Sequence, residues 1–139
     1  MKLALLSMLC GCVLLVDGPS SAEEPTVACD KAVTQADMTL CAQKDFEKAD
    51  AGLNAQWMLT RKAMADRDAS LSAEQRGGEQ ALLAAQRAWI AYRDGQCTAE
   101  GFAARGGTME PMLVIACKAE LSEVRTDELK QLAETIGQQ

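Results

Sequence analysis

Apolar side chains recur in steps of three and four along three separate stretches of the chain. In the first, Phe46, Ala49, Leu53, Trp57, Thr60 and Met64 fall on one helical line, while Lys44, Glu47, Lys48, Arg61 and Lys62 occupy the opposite face. This helix is predicted to begin near Asp37 and to break over residues 66–73. Ser72-Ala73-Glu74-Gln75 then reads as a capping box, in which a serine hydroxyl satisfies an orphan backbone N–H and glutamine reaches back. Gly77-Gly78 weakens the turn after it by about 1 kcal/mol per glycine relative to alanine, so the second helix is placed from near Glu79. It runs through Leu82, Leu83, Trp89, Ile90 and Tyr92 toward Cys97, and Gly101 with Arg105-Gly106-Gly107-Thr108 ends it. Pro111 suits the first turn of a third helix, where its missing N–H costs nothing. The third stripe is Val114, Cys117, Leu121, Val124, Glu128, Leu132 and Ile136, with Leu129 able to stand in for Glu128. Between Pro25 and Pro111 there is no proline. Three amphipathic helices can bury a core only against one another, which predicts an all-α fold: a small antiparallel bundle of about three main helices.

The beginning of the chain follows a different pattern. Lys2 precedes an apolar run over residues 3–16, and Ser20-Ser21-Ala22 offers a small-residue cleavage site, so residues 1–22 read as a signal peptide. At about fourteen residues the run is too short to span a membrane comfortably. Leu9-Cys10-Gly11-Cys12 also has the form of a lipobox, with a lipid anchor at Cys12 as its consequence. The short apolar stretch before Cys12, and its continuation through Val16, favour cleavage after Ala22. Residues 23–36 form a polar lead containing Pro25, and residues 37–139 the helical domain. The expected compartment is the periplasm.

Removing the signal leaves four cysteines, Cys29, Cys41, Cys97 and Cys117. An even number in a small exported domain indicates a disulfide framework. Of the three possible pairings, the separations favour the sequential ones, Cys29–Cys41 and Cys97–Cys117, each worth on the order of 3 kcal/mol in the chain-entropy model. A tetracysteine zinc site would use closely spaced C-x₂₋₄-C pairs, which are missing here, so no metal is expected.

Composition then narrows the chemistry. The 139 residues contain no histidine, which removes Ser-His and Cys-His catalysis. With 14 basic and 20 acidic residues, a net charge of −6, the chain lacks a nucleic-acid footprint. The acids lie mostly on solvated helical faces, and no carboxylate pair stands out as glycosidase machinery. The expectation is a protein that is not an enzyme and takes no cofactor.

The densest motif is Ala85-Gln86-Arg87-Ala88-Trp89-Ile90-Ala91-Tyr92-Arg93-Asp94, followed by Cys97. Cys41 and Ala49-Asp50-Ala51-Gly52-Leu53-Asn54 precede it; Gly106-Gly107-Thr108-Met109, Cys117, Arg125 and Leu129 follow. Together these residues resemble the bacterial LprI-type lysozyme inhibitor family over roughly Cys29 to Leu129. One departure is Ser122 ahead of Arg125, where family members often carry threonine. The resemblance implies an exported, disulfide-bonded, non-enzymatic protein whose partner is lysozyme or another peptidoglycan hydrolase. Two other readings keep the fold and change the role: a periplasmic immunity-type protein against a peptidoglycan-degrading toxin, and an envelope interaction module without inhibitory activity.

Arg87, Trp89, Tyr92, Arg93, Asp94, Gly106, Gly107 and Thr108 are the candidate binding residues. For the motif helix the structural alternative is that Trp89 and Tyr92 fill the core while Arg87 and Arg93 pair with carboxylates such as Asp50 or Asp94. For the glycines the alternative is a plain interhelical turn. An acidic inhibitor gains long-range steering toward a cationic lysozyme. A loop pinned by Cys97–Cys117 can then enter its cleft.

Overall fold

The computed structural model describes residues 27–138. Three helices follow one another: α1, Gln35–Ser70; α2, Gly78–Gly101; and α3, Glu110–Gly137. Single 3-10 turns stand at Cys29–Lys31, Ala73–Gln75 and Phe102–Ala104, and the described residues contain no strand. Both sequential disulfides are formed, Cys29–Cys41 and Cys97–Cys117. Residues 1–22, read as a signal peptide, and Cys12 with its lipobox lie outside the described residues.

At 36 residues, α1 is the longest element, about 54 Å at 1.5 Å per residue. Thr34 caps it by accepting a hydrogen bond from the Asp37 N–H (3.1 Å), which moves its start ahead of the expected position. The predicted break over residues 66–73 falls only at Leu71: Asp66-Arg67-Asp68-Ala69-Ser70 contains neither glycine nor proline, so nothing interrupts the helix earlier. Ser72 opens the short 3-10 turn and makes no side-chain cap to a backbone N–H, which replaces the expected capping box.

The cap of α2 comes instead from Asp68, near the end of α1. Its carboxylate accepts N–H bonds from Gly78 (3.0 Å), Glu79 (3.0 Å) and, more loosely, Gly77 (3.4 Å). The two glycines make this possible. Gly77 has φ +132°, and a Cβ on Gly78 would lie 2.5 Å from Met64 Sδ and 3.0 Å from Asp68 Oδ1. Far from merely weakening the helix, they let the chain turn tightly under the end of α1. The Glu79 N–H, followed by those of Gly78 and Gly77 with Arg76 nearby, holds the Asp68 carboxyl below its ordinary pKa, against the opposing effect of its burial.

Gln35 Nε2 lies 3.3 Å from Met112 Sδ, and Thr60 Oγ1 donates to the Leu129 carbonyl at 2.9 Å. Early α1 therefore meets early α3, and late meets late: the two run parallel, with α2 antiparallel to both. Small side chains, Ala42, Ala49, Ala119 and Ser122, let α1 and α3 approach closely, while α2 stands further out. Leu53, Leu82 and Leu129 form the apolar centre, with Trp57, Met64, Trp89 and Leu132 packed around it.

The inward lines of α2 and α3 differ from the predicted ones. On α2 the buried line is Leu82, Gln86, Arg93, Cys97 and Gly101, with Trp89 half-buried among them, whereas Ile90 and Tyr92 are exposed. On α3 it is Cys117, Ala119, Ser122 and Leu129, whereas Val124 and Glu128 face outward. α3 has two neighbours rather than one, and the side toward α1 selects small residues over branched ones.

Candidate functional site

Two regions collect the residues singled out in the sequence: a polar seam inside the bundle, and the turn joining α2 to α3.

The seam is centred on Arg93, which is only 9% exposed. Its guanidinium donates to Ser122 Oγ (3.2 Å), Asp94 Oδ1 (3.1 Å) and Asp50 Oδ1 (3.4 Å). It also lies over two aromatic rings, Phe46 at 5.5 Å and Trp89 at 5.2 Å from the ring centroids. One helical turn along, Arg125 donates to Gln86 Oε1 (3.0 Å) and to Glu128 (2.8 Å), and approaches the Trp89 ring at 5.9 Å. Trp89 thus touches two guanidinium groups. Partial burial raises the Asp94 carboxyl pKa, but hydrogen bonds and charge from Arg93 and Lys118 outweigh it and hold the group below its ordinary value. Among the described residues, no buried side-chain nitrogen or oxygen lacks a hydrogen-bond partner. The seam ties three helices together through a planar, five-donor group, a task lysine does less well. Here Arg93 and Trp89 pack within the bundle and Asp94 pairs with Arg93 at its edge, and the sequence had already offered Asp50 and Asp94 as partners for Arg93.

The remaining motif residues point the other way. Arg87 and Tyr92 lie on the exposed surface of α2, Tyr92 at 56%, so Tyr92 is not the core filler proposed for it. They do not meet Gly106, Gly107 and Thr108 in one constellation, because those residues stand beyond the C-terminus of the helix.

The turn is built tightly. Cys97, fully buried, is bridged to Cys117, so the chain leaves α2 and returns on α3 over a fixed base. Gly106 has φ +77°, the left-handed region that favours glycine. The Glu110 carboxylate then closes the turn from the first turn of α3, accepting from the Arg105 guanidinium (2.6 Å) and from the Gly106 N–H (2.8 Å). These same two contacts, the backbone one foremost, hold the Glu110 pKa below its ordinary value. Gly107 N–H donates to the Ala104 carbonyl at 2.8 Å, and Arg105 stacks over the Phe102 ring at 4.5 Å. A rigid knuckle results, with Gly106, Gly107 and Thr108 at its exposed tip and the half-open side chains of Phe102 and Met109 beside them.

Sequence reasoning placed the turn and quoted Met109 in its motif, but offered neither Phe102 nor Met109 as a contact residue and did not find the Arg105–Glu110 clasp. The signal for the clasp was present in the chain: a base and an acid flanking a Gly-Gly pair next to Pro111. Among the described residues no three Cys, Asp or Glu side chains are grouped to hold a metal ion, and no helix is long and apolar enough to cross a membrane.

An uncharacterized protein of Rhizobium meliloti (strain 1021) is 49% identical over 126 residues, which cover 88% of this chain and 91% of the relative. No solved structure matches significantly. The profile of the family described as "Lysozyme inhibitor LprI" matches residues 28–129, taking in both disulfides, the polar seam and the α2–α3 turn, and the chain belongs to that family.

Proposed function

We propose that this protein is an exported, non-catalytic inhibitor that binds lysozyme and obstructs its cleft with the α2–α3 turn. Membership of the LprI family carries the reading, and the two disulfides fit a periplasmic or extracellular setting. Within the fold, the turn is the part best suited to enter a cleft. Its tip is exposed, its base is cross-linked, and its conformation is held by Glu110 before any partner arrives, so little ordering entropy is lost on binding. Phe102 and Met109 supply apolar contact area beside the Gly106-Gly107-Thr108 tip. The net charge of −6 steers the approach to a cationic enzyme and raises the association rate more than the final affinity.

Titration of the oxidised protein into lysozymes of several classes tests this, following binding heat and cell-wall lysis together at two salt concentrations. Submicromolar, salt-sensitive binding with loss of lysis is the expected result. Absence of binding to every class, from a folded and fully bridged sample, would discard the inhibitor reading in favour of a toxin-immunity or envelope role.

A further inference from the structure

On the side of the α1–α3 pair lies a groove of about 460 Å³, lined in part by the Cys29–Cys41 bridge. Its floor is apolar and small, including Ala42, Ala119 and Met112, and its walls carry Asp45 from α1 with Glu120 and Glu123 from α3. Glu120 and Glu123 are three residues apart and so share one helical face. No basic side chain lines the groove. Asp45, Glu120 and Glu123 form no ion pair with an arginine or lysine of this chain among the described residues, so all three carboxylates of the groove are open to an outside cation. Exposed acids such as Glu47 and Glu134 form no ion pair there either; these three differ in lining one apolar groove together. They are not grouped tightly enough to share a metal ion.

We infer that this groove is a docking surface for a lysine- or arginine-bearing segment of a cationic protein partner. The chemistry of the walls and floor fits such a side chain along its whole length. A (CH₂)₃ or (CH₂)₄ stem packs on alanine and methionine, and the charged head reaches carboxylates that have no internal partner. The groove is too large for a single such side chain, so it holds a short basic stretch. It lies along α1 and α3, is separate from the α2–α3 turn in its lining residues, and stands on its own chemistry whether or not lysozyme is the target.

The test uses the oxidised, exported protein and two capped hexapeptides, one alternating lysine with alanine and one alternating glutamate with alanine. Binding is followed by NMR through the methyl groups of Ala42, Ala116, Ala119 and Met112. The lysine peptide should shift these methyls in a saturable way while the glutamate peptide leaves them unmoved. The triple variant Asp45→Asn, Glu120→Gln, Glu123→Gln should weaken binding at least tenfold. A second triple variant, Glu47→Gln, Asp66→Asn, Glu134→Gln, removes the same charge elsewhere and should change affinity less than threefold. Equal loss in both variants, or shifts spread along all three helices, would mean that net charge alone attracts the peptide and would overturn the assignment. Because Gly106, Gly107 and Thr108 are untouched in either variant, failure here and failure of the turn as a lysozyme contact are read separately.

Discussion

Replacing Arg93 by alanine measures how far the polar seam holds the bundle together. Three losses add. Ser122, fully buried, loses the partner of its hydroxyl, at about 1–3 kcal/mol for a buried polar group left unsatisfied. The rings of Phe46 and Trp89 each lose a cation about 5 Å away, together about 1–2 kcal/mol at a partly desolvated site. The carboxylates of Asp50 and Asp94 lose their counter-ion, but their side chains are 40% and 45% exposed, and Asp94 keeps Lys118 at 3.3 Å. Water and Lys118 therefore absorb most of the cost of about 3–5 kcal/mol seen when a fully buried pair is broken.

The sum is about 3 kcal/mol, a large share of the about 5–15 kcal/mol that holds a typical domain folded. Arg93→Lys keeps the charge but not the planar fork, and Arg93→Met keeps the stem between the rings but not the charge, so each should lose less than Arg93→Ala. Urea denaturation of the oxidised proteins, followed by circular dichroism, reads these differences directly. An alanine variant within about 0.5 kcal/mol of the wild type, the range of an ordinary surface substitution, would refute the seam as a source of stability.

Other consequences of the geometry can be measured in the same way. Gly106→Ala forces a side chain into φ +77° at a cost of about 1–2 kcal/mol, enough to lower the melting temperature by several degrees; with helix content unchanged at about 25 °C, lysozyme binding should weaken, and unchanged affinity would move the contact surface away from the turn. Replacing Gly106-Gly107-Thr108 together by alanines should weaken it further. Cys97→Ser with Cys117→Ser opens a loop of sequence separation 20 and should cost about 3 kcal/mol of stability, with peptide mapping of the wild type showing Cys97–Cys117 and Cys29–Cys41 and no cross-pair. Asp68 and Asp94 have pKa values below their unfolded ones, so the stability they contribute is complete at neutral pH and is lost as pH falls through the folded-state values, below about pH 4. Asp68→Asn should therefore lower the melting temperature at pH 7 and flatten its decline toward pH 2.5; an unchanged slope would show that the α2 cap contributes nothing to acid sensitivity.

The number of helices, their order, the bridges and the turn between α2 and α3 were all legible in the chain, because each has a local signature in apolar spacing, cysteine separation or Gly/Pro placement. The phase of α2 was not, since apolar side chains alone were assigned to the inside. Leu82, Gln86, Trp89, Arg93 and Cys97 form one line with steps of four, three, four and four, and Cys97 must face α3 if it bridges Cys117. Counting back from that cysteine places Arg93 and Gln86 inward despite their polarity. Asp50 was already a candidate partner for Arg93; what could not be counted is the rest of what makes the two tolerated there, because Ser122 for Arg93 and Arg125 for Gln86 come from α3, 29 and 39 residues away in sequence.

The same phase divides the densest motif into two kinds of residue. Gln86, Trp89 and Arg93 recur in one line because they assemble the bundle, and a motif built on them reports the fold more directly than the binding surface. A contact surface has to be sought where side chains have no internal task. That condition separates the Gly106-Gly107-Thr108 knuckle and the carboxylates of the α1–α3 groove from the seam, and it makes the two accessible to substitution without unfolding the helices that display them.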